Sequence, residues 1–267
     1  MHSDFLLHSP VVRFLLLFFA ALIGGFINSI AGGGGFIAFP SLLKSGLLPI
    51  QANATTTVAL WPGQFTSIAG YREEVRRHLR LLIPIVIVAL VGGFAGAWTL
   101  LHNSQQSFLR LVPYLFLLGS TAFAFSGPIK RFIQRRTEQH GADGERVHII
   151  PLLAILTCLC FYIGYFGAGA GLLLMAAFAL CGVERVAEIN SLKVVTTTVA
   201  NGVAVITFIL HAAVAWRDCW YMMIACAIGG YTGARNSRRV SDRVLRPIII
   251  IFGFTLAIYF FFHRNSF

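Results

Sequence analysis

Long apolar runs, broken by short polar or glycine-rich interruptions, fill almost the whole chain. Reading runs against breaks predicts ten helical segments, at residues 10–31, 34–48, 50–71, 79–101, 108–129, 148–167, 170–183, 186–210, 213–234 and 245–263. The second and seventh are short, and each begins at a glycine cluster. The first has the look of a signal peptide, with Arg13 ahead of Phe14 to Ala21. Its apolar stretch runs on through Ile30, however, and it has a counterpart later in the chain, so it is expected to be retained.

That counterpart belongs to an internal repeat. An offset of 137 places Asn53 on Asn190, and the same offset places Ala31, Gly32, Gly34, Leu43 and Val58 on Ala168, Gly169, Gly171, Leu180 and Val195. It holds without a gap onward, setting Gly92, Gly93, Gly96 and Ala97 on Gly229, Gly230, Gly233 and Ala234. The expected fold is therefore an all-α polytopic membrane protein of two repeats, each of about five hydrophobic helical segments. Its divisions are a first membrane repeat over residues 1–129, a basic cytoplasmic linker over 130–147 and a second membrane repeat over 148–267.

Composition fits that reading and excludes a soluble one. The 267 residues are 57% hydrophobic and 12% charged, with a mean hydropathy of +0.77. At about 20 residues per crossing, ten segments leave little chain for a soluble catalytic domain. The net charge of +11 would suggest nucleic acid on a soluble protein, but its distribution argues against that partner. Fourteen of the 21 basic residues fall in three blocks between apolar runs: Arg72, Arg76, Arg77 and Arg80; Lys130, Arg131, Arg135, Arg136 and Arg146; Arg235, Arg238, Arg239, Arg243 and Arg246. Such blocks mark cytoplasmic loops.

The blocks also bear on topology. The loop from Tyr71 to Arg80 has four arginines, and its repeat counterpart near His211 to Asp218 has only Arg217; Leu101 to Ser107 has no Lys or Arg, and its counterpart Arg235 to Arg243 has four. If the loops after segments three, five and nine are all cytoplasmic, segment seven must cross. The expectation is ten crossings, both termini outside, and two halves of inverted topology related by an axis in the membrane plane. Cys158, Cys160, Cys181, Cys219 and Cys226 lie in or beside apolar segments without zinc-like spacing and read as packing. The eight histidines sit at or near segment ends.

Candidate chemistry begins at Gly32, Gly33, Gly34 and Gly35. A glycine run lets backbone leave helical geometry, which in lipid is tolerated where it is buried or lines a cavity. The helix from Phe36 would then start inside the membrane, and its free N–H groups and positive dipole end form an anion site. Gly167, Gly169 and Gly171 are a weaker copy, so short glycine-initiated helices are expected at the midplane. The competing reading is close helix packing by small residues. Asn53, Thr56 and Gln64, and likewise Asn190, Lys193, Thr197 and Asn201, recur at roughly helical spacing as polar stripes. Lys193 stands where a charge is costly and is usually paired or facing a cavity. It is read as a cationic contact for an anion, against pairing with Glu188 or Glu184 or snorkelling to the interface.

Asn28-Ser-Ile-Ala-Gly-Gly-Gly-Gly-Phe36 with Pro40, then Ala52-Asn-Ala-Thr-Thr-Thr57, is similar to the first-half signature of the TauE/SafE family of sulfite and organosulfur-anion permeases; Gly167 to Gly171 with Asn190 resembles the second. The resemblance covers almost the whole chain. It implies a multi-spanning bacterial inner-membrane permease, made of two related halves, for sulfite, sulfonates or similar small anions. Where the family has a fuller glycine triplet and a proline in the second half, this chain has Ala170 and Ala177.

The reading taken forward is a secondary transporter that moves a small anionic substrate by alternating access at a midplane site. Asn28, Gly32, Gly33, Gly34, Gly35, Asn53, Thr56, Gln64, Gly169, Gly171, Asn190, Lys193, Thr197 and Asn201 are its candidate substrate-binding residues. No cofactor is expected, and sodium or a proton is open as coupling ion. An intramembrane enzyme is the weaker alternative, since a Ser29 or Ser191 nucleophile with Lys193 as base rests on proximity alone. A scaffold subunit that only packs against a partner is the third.

Overall fold

A computed structural model describes residues 9–64, 75–76, 79–140, 147–183, 185–236 and 242–263. The described residues contain no strand and include ten helices of ten residues or more. In chain order these are α1 (Pro10–Ala31), α2 (Gly35–Lys44), α3 (Pro49–Leu60), α4 (Leu79–Leu101), α5 (Gln105–His140), α6 (Ile149–Tyr165), α7 (Ala170–Leu180), α8 (Val186–Leu210), α9 (Trp216–Asn236) and α10 (Asp242–His263). Each predicted segment holds one helix. Pro10 and Pro49 open α1 and α3, where the missing N–H costs nothing.

Bounds differ from expectation in two informative places. The third segment was expected to run to residue 71, but α3 stops at Leu60, where Pro62 has no N–H to continue the ladder. Residues 65–74, with Arg72, lie outside the described residues, as do Arg77, 141–146, Glu184, Arg238 and Arg239. Conversely α5 passes through Pro128 to His140, so the first part of the expected linker is helical.

Among the described residues, four helices are long and apolar enough to cross a membrane, within α1, α4, α5 and α8. The helices α2 and α7 have 10 and 11 residues. At about 1.5 Å per residue they cover roughly half of a hydrocarbon core of about 30 Å. The ten expected crossings are therefore not ten full-length helical spans. Apolar side chains such as Ile83, Ile87, Val91, Ile224, Ile228 and Phe262 face outward, as suits a hydrocarbon surround. Inside, an aromatic cluster of Phe36, Phe39, Phe108, Phe116, Phe166 and Phe260 holds α2 against α5, α10 and the end of α6.

The principal helix pairs are α1 with α9, α4 with α6, α5 with α10 and α4 with α8. Shifting by the 137-residue offset exchanges α1·α9 with α6·α4 and returns α5·α10 to itself. The α1·α9 pair runs parallel, because contacts advance together along both helices. Arg13 meets Asp218, Phe14 meets Tyr221 at 4.9 Å between ring centroids, and Phe26 meets Gly233.

Glycine makes these approaches possible. A Cβ on Gly229 would lie 2.0 Å from the Leu22 carbonyl oxygen, and one on Gly233 2.6 Å from that of Phe26. Gly96 would strike the Phe161 oxygen at 2.1 Å, and Gly164 that of Gly93 at 2.1 Å. The repeated Gly-Gly-x-x-Gly of α4 and α9 is thus a packing device of the small-residue kind.

Candidate functional site

The glycine run after α1 reverses the chain inside the bundle. Gly32 takes a left-handed conformation (φ 80) and donates its N–H to the Asn28 carbonyl at 3.0 Å, closing α1. By Gly34 the chain has doubled back, since a Cβ there would lie 2.4 Å from the Gly24 oxygen and 2.8 Å from the Asn28 Cβ. From Gly35, α2 passes Phe123 and Phe116 of α5 at Phe36 and then Phe108 at Phe39. It thus heads toward the start of α5, where Gln105 Oε1 accepts from the Ile50 N–H at 2.8 Å.

The second copy points the other way. After α6 the chain turns through Gly167 (φ 76) and Gly169 (φ 78) into α7. The C-terminal end of α7 returns to the start of α6, the Cys181 carbonyl accepting from the His148 N–H at 3.0 Å. That end lies about 25 Å along α6 from Tyr165, whose hydroxyl accepts from Asn103 Nδ2 in the α4–α5 turn at 2.8 Å. The two glycine turns touch at the centre: a Cβ on Gly35 would sit 3.8 Å from that of Ala168. The starts of α2 and α7 therefore adjoin while the helices diverge toward opposite ends. Part of each first turn is already satisfied by the glycine turns, Phe36 N–H donating to the Gly33 carbonyl at 3.1 Å, Ala170 to Gly167 at 3.3 Å and Leu172 to Gly169 at 3.2 Å, so what converges there is two positive dipole ends with the remaining first-turn donors.

Polar residues of α3 and α8 surround this centre unevenly. Lys193, half-buried, donates from Nζ to Asn190 Oδ1 at 3.1 Å and lies 4.0 Å from Met175 Sδ of α7. Its Cδ is 3.6 Å from where a Gly171 Cβ would be, so the lysine lies along the α7 start. Asn53 is buried and donates from Nδ2 to the Tyr165 carbonyl in the last turn of α6 at 3.1 Å. The hydroxyls of Thr56 and Thr197 donate to the Ala52 and Lys193 carbonyls of their own helices at 2.8 and 2.9 Å. Asn201 Nδ2 donates to Gln64 Oε1 at 3.3 Å. Beside that pair, Trp61 Nε1 donates to the Thr198 carbonyl at 3.1 Å. Both contacts join residues 137 apart, so each residue meets its own repeat counterpart where α3 and α8 cross.

The predicted residues thus fall into connected groups. Gly169, Gly171, Asn190 and Lys193 gather around the α7 start; Asn28 and Gly32 to Gly35 form the α2 start and touch the second turn through Ala168; Gln64 and Asn201 meet at the α3–α8 crossing; Asn53 is held by the end of α6. Trp61, which sequence reasoning passed over, belongs to the third group, and its place one turn before Gln64 on the polar stripe was the available signal.

A second group was also missed. Asp218, placed by sequence in a loop, is buried in the first turn of α9, where one carboxylate oxygen accepts from Arg13 Nη2 and the other from the Tyr221 hydroxyl at 2.7 Å. Its partner is 205 residues away, so only the Asp-x-x-Tyr spacing on one helix face was legible.

The family model described as "Sulfite exporter TauE/SafE" matches residues 17–260. Among curated proteins, the chain is similar to "Probable membrane transporter protein YfcA" of Escherichia coli (strain K12), 28% identical over 88% of this chain and 85% of that protein. It is also similar to "Probable membrane transporter protein ORF9" of Sinorhizobium sp, 26% identical over 91% and 90%. A "Probable membrane transporter protein" of Haemophilus influenzae is 25% identical over 90% and 91%. No solved structure gives a significant match.

Proposed function

Since the chain belongs to the TauE/SafE family of membrane transporters and is a multi-pass bacterial membrane protein, we propose that it is a secondary transporter for sulfite, a sulfonate or another small organosulfur anion. Substrate is held between the starts of α2 and α7 and released to either side by alternating access. The observation that carries this reading is the meeting of two glycine-initiated helix starts at the centre, with the Lys193 stem along one of them. Oriented backbone donors suit an oxyanion, and an ammonium in a low-dielectric surround adds charge without demanding a fixed geometry.

In this reading Gly33, Gly34, Gly35, Gly169 and Gly171 present backbone donors, while Gly32, whose own N–H closes α1, shapes the turn that aims them. Lys193 supplies the cation, and Asn28, Asn53, Gln64, Asn190 and Asn201 orient the oxygens. Thr56 and Thr197 line the same path. The two repeats, 1–129 and 148–267, have inverted topology with both termini outside. The exchange of helix pairs under the 137-residue offset and the opposite headings of α2 and α7 support that arrangement, as do the three basic blocks.

Flux into proteoliposomes tests the proposal. Sulfite, sulfate, thiosulfate and simple sulfonates are compared with and without imposed sodium, proton and potential gradients, which also assigns the coupling ion. Saturable uptake of sulfite or a sulfonate is the expected result. Flux of cations without any anion flux overturns it.

A further inference from the structure

Resting on that transport reading, we infer that the units moving against one another are not the two sequence halves but two interlocked bodies, α1–α3–α9 and α4–α6–α8, each taking helices from both halves. The evidence is a contrast between two kinds of contact.

Within each body, the α1·α9, α4·α6 and α4·α8 pairs meet backbone to backbone without slack, and α3 is tied to the chain just before α9 through Thr55. In the first, the Leu22 and Phe26 oxygens fill the places of side chains at Gly229 and Gly233. The Arg13–Asp218–Tyr221 group clamps α1 to α9, and the Ala215 N–H donates to Thr55 Oγ1 of α3 at 3.0 Å. In the second, Gly92 and Gly96 seat α4 on Cys160 and Phe161 of α6, and a Cβ on Gly93 would lie 2.5 Å from the Ala200 oxygen of α8. Interfaces locked in this way move as units rather than deform.

Between the bodies, α3 meets α8 and the end of α6 through flexible side chains. Trp61 to the Thr198 carbonyl, Asn201 to Gln64 and Asn53 to the Tyr165 carbonyl are all hydrogen bonds made by a side chain. Gly202 leaves the notch that receives the Trp61 ring, its Cβ position being 3.0 Å from the indole. Such bonds can be exchanged for others as the bodies tilt, with the α3–α8 crossing as pivot. The candidate site straddles this joint. Gly34 seats the α2 start on α1 of the first body, whereas Lys193 and the adjoining Gly171 lie at α8 of the second.

Spin-label distances discriminate the two partitions. In protein whose five native cysteines are replaced, cysteine pairs are placed at exposed positions: Val11 with Tyr231, in one body but different sequence halves, and Val11 with Leu90, in one half but different bodies. Double electron–electron resonance in lipid is recorded with and without sulfite. The interlocked bodies predict one unchanged distribution for Val11–Tyr231 and a shifted or split one for Val11–Leu90. Trp61→Phe, which removes one joint bond, should alter the proportions only in the second pair. Movement of Val11–Tyr231 with Val11–Leu90 fixed returns the motion to the sequence halves and overturns the inference, as does a single Val11–Leu90 distribution in every condition. These distances are read without flux, so absence of anion transport removes the substrate reading independently.

Discussion

Alanine at the turn glycines separates those that the fold requires from those that a substrate requires. At Gly34 a methyl would stand 2.4 Å from the Gly24 backbone oxygen, so α1 and α2 must part, at about 1–3 kcal/mol or more. At Gly169 the φ of 78 adds about 1–2 kcal/mol for a left-handed alanine, and the methyl meets the Gly119 Cα at 2.9 Å. Gly35 and Gly171 differ on both counts. Neither has a positive φ, and their methyls would meet only the Ala168 Cβ at 3.8 Å and Lys193 Cδ at 3.6 Å, ordinary contacts. Alanine in a helix should there be neutral or stabilising by up to about 1 kcal/mol.

The fold therefore gives no reason for glycine at 35 and 171, whereas close approach of an anion to the first-turn N–H groups does. Losing one hydrogen bond to a charged ligand costs about 1.5–3 kcal/mol, about 10–100-fold in affinity. Gly35→Ala and Gly171→Ala are expected to keep the parent thermal midpoint while the KM for anion flux in proteoliposomes rises by that factor. Gly34→Ala and Gly169→Ala are expected to lose several degrees of stability. Wild-type KM in stable Gly35→Ala and Gly171→Ala would refute a substrate contact at the helix starts.

Three further outcomes follow from the same geometry. Lys193→Met should reduce anion flux at least about tenfold, the worth of about 1.4 kcal/mol, with partial recovery in Lys193→Arg; initial rates across anions of different charge check it. Asp218→Asn leaves the Arg13 guanidinium without its counter-charge and should destabilise by about 1–3 kcal/mol. This falls short of the about 3–5 kcal/mol of a fully buried pair because the Arg13 side chain keeps 31% of its surface; Arg13→Met in the same protein should recover most of the loss, read as a double-mutant cycle of melting midpoints. A C-terminal tag should be cleaved by protease added to intact spheroplasts, and protection of the tag until lysis would contradict the outside placement of the termini.

Periodicity was a sufficient guide to where helices lie, because hydrocarbon forces the backbone to satisfy itself within each segment. It was less informative about where they stop. Polar residues mark water, but α3 ends between apolar neighbours at Leu60, and α5 continues into a basic stretch that helical geometry accepts as readily as a loop does. The glycines show the same limit. Their sequence pattern cannot tell a left-handed turn at Gly32 from helix packing at Gly229, since both need an absent side chain for different reasons. Contacts between repeat counterparts, such as Gln64 with Asn201, were implicit in the offset once an axis was supposed. Arg13 and Asp218, lacking counterparts in kind, were not.

That lack bears on mechanism. In the inverted, alternating-access arrangement proposed above, exchanging the conformations of the two halves turns one open state into the other, so chemically identical halves would hold both states at equal energy. An unlike pair of counterparts tilts the balance where its contacts differ between the two states, and about 1.4 kcal/mol of tilt is tenfold in population. Thr56 stands opposite Lys193 and Trp61 opposite Thr198. Arg13 and Asp218 correspond to Ile150 and Leu81. A charged clamp therefore holds one end of the α1·α9 pair, whereas the equivalent positions of α6 and α4 are apolar and Ile150 is exposed. In the two-body reading inferred above, the clamp lies inside one body rather than across the joint, so it acts on how firmly that body holds its shape. In that reading the residues placed to set the resting state are those at the α3–α8 crossing, where the Trp61 ring lies 3.0 Å from the position a Gly202 Cβ would take.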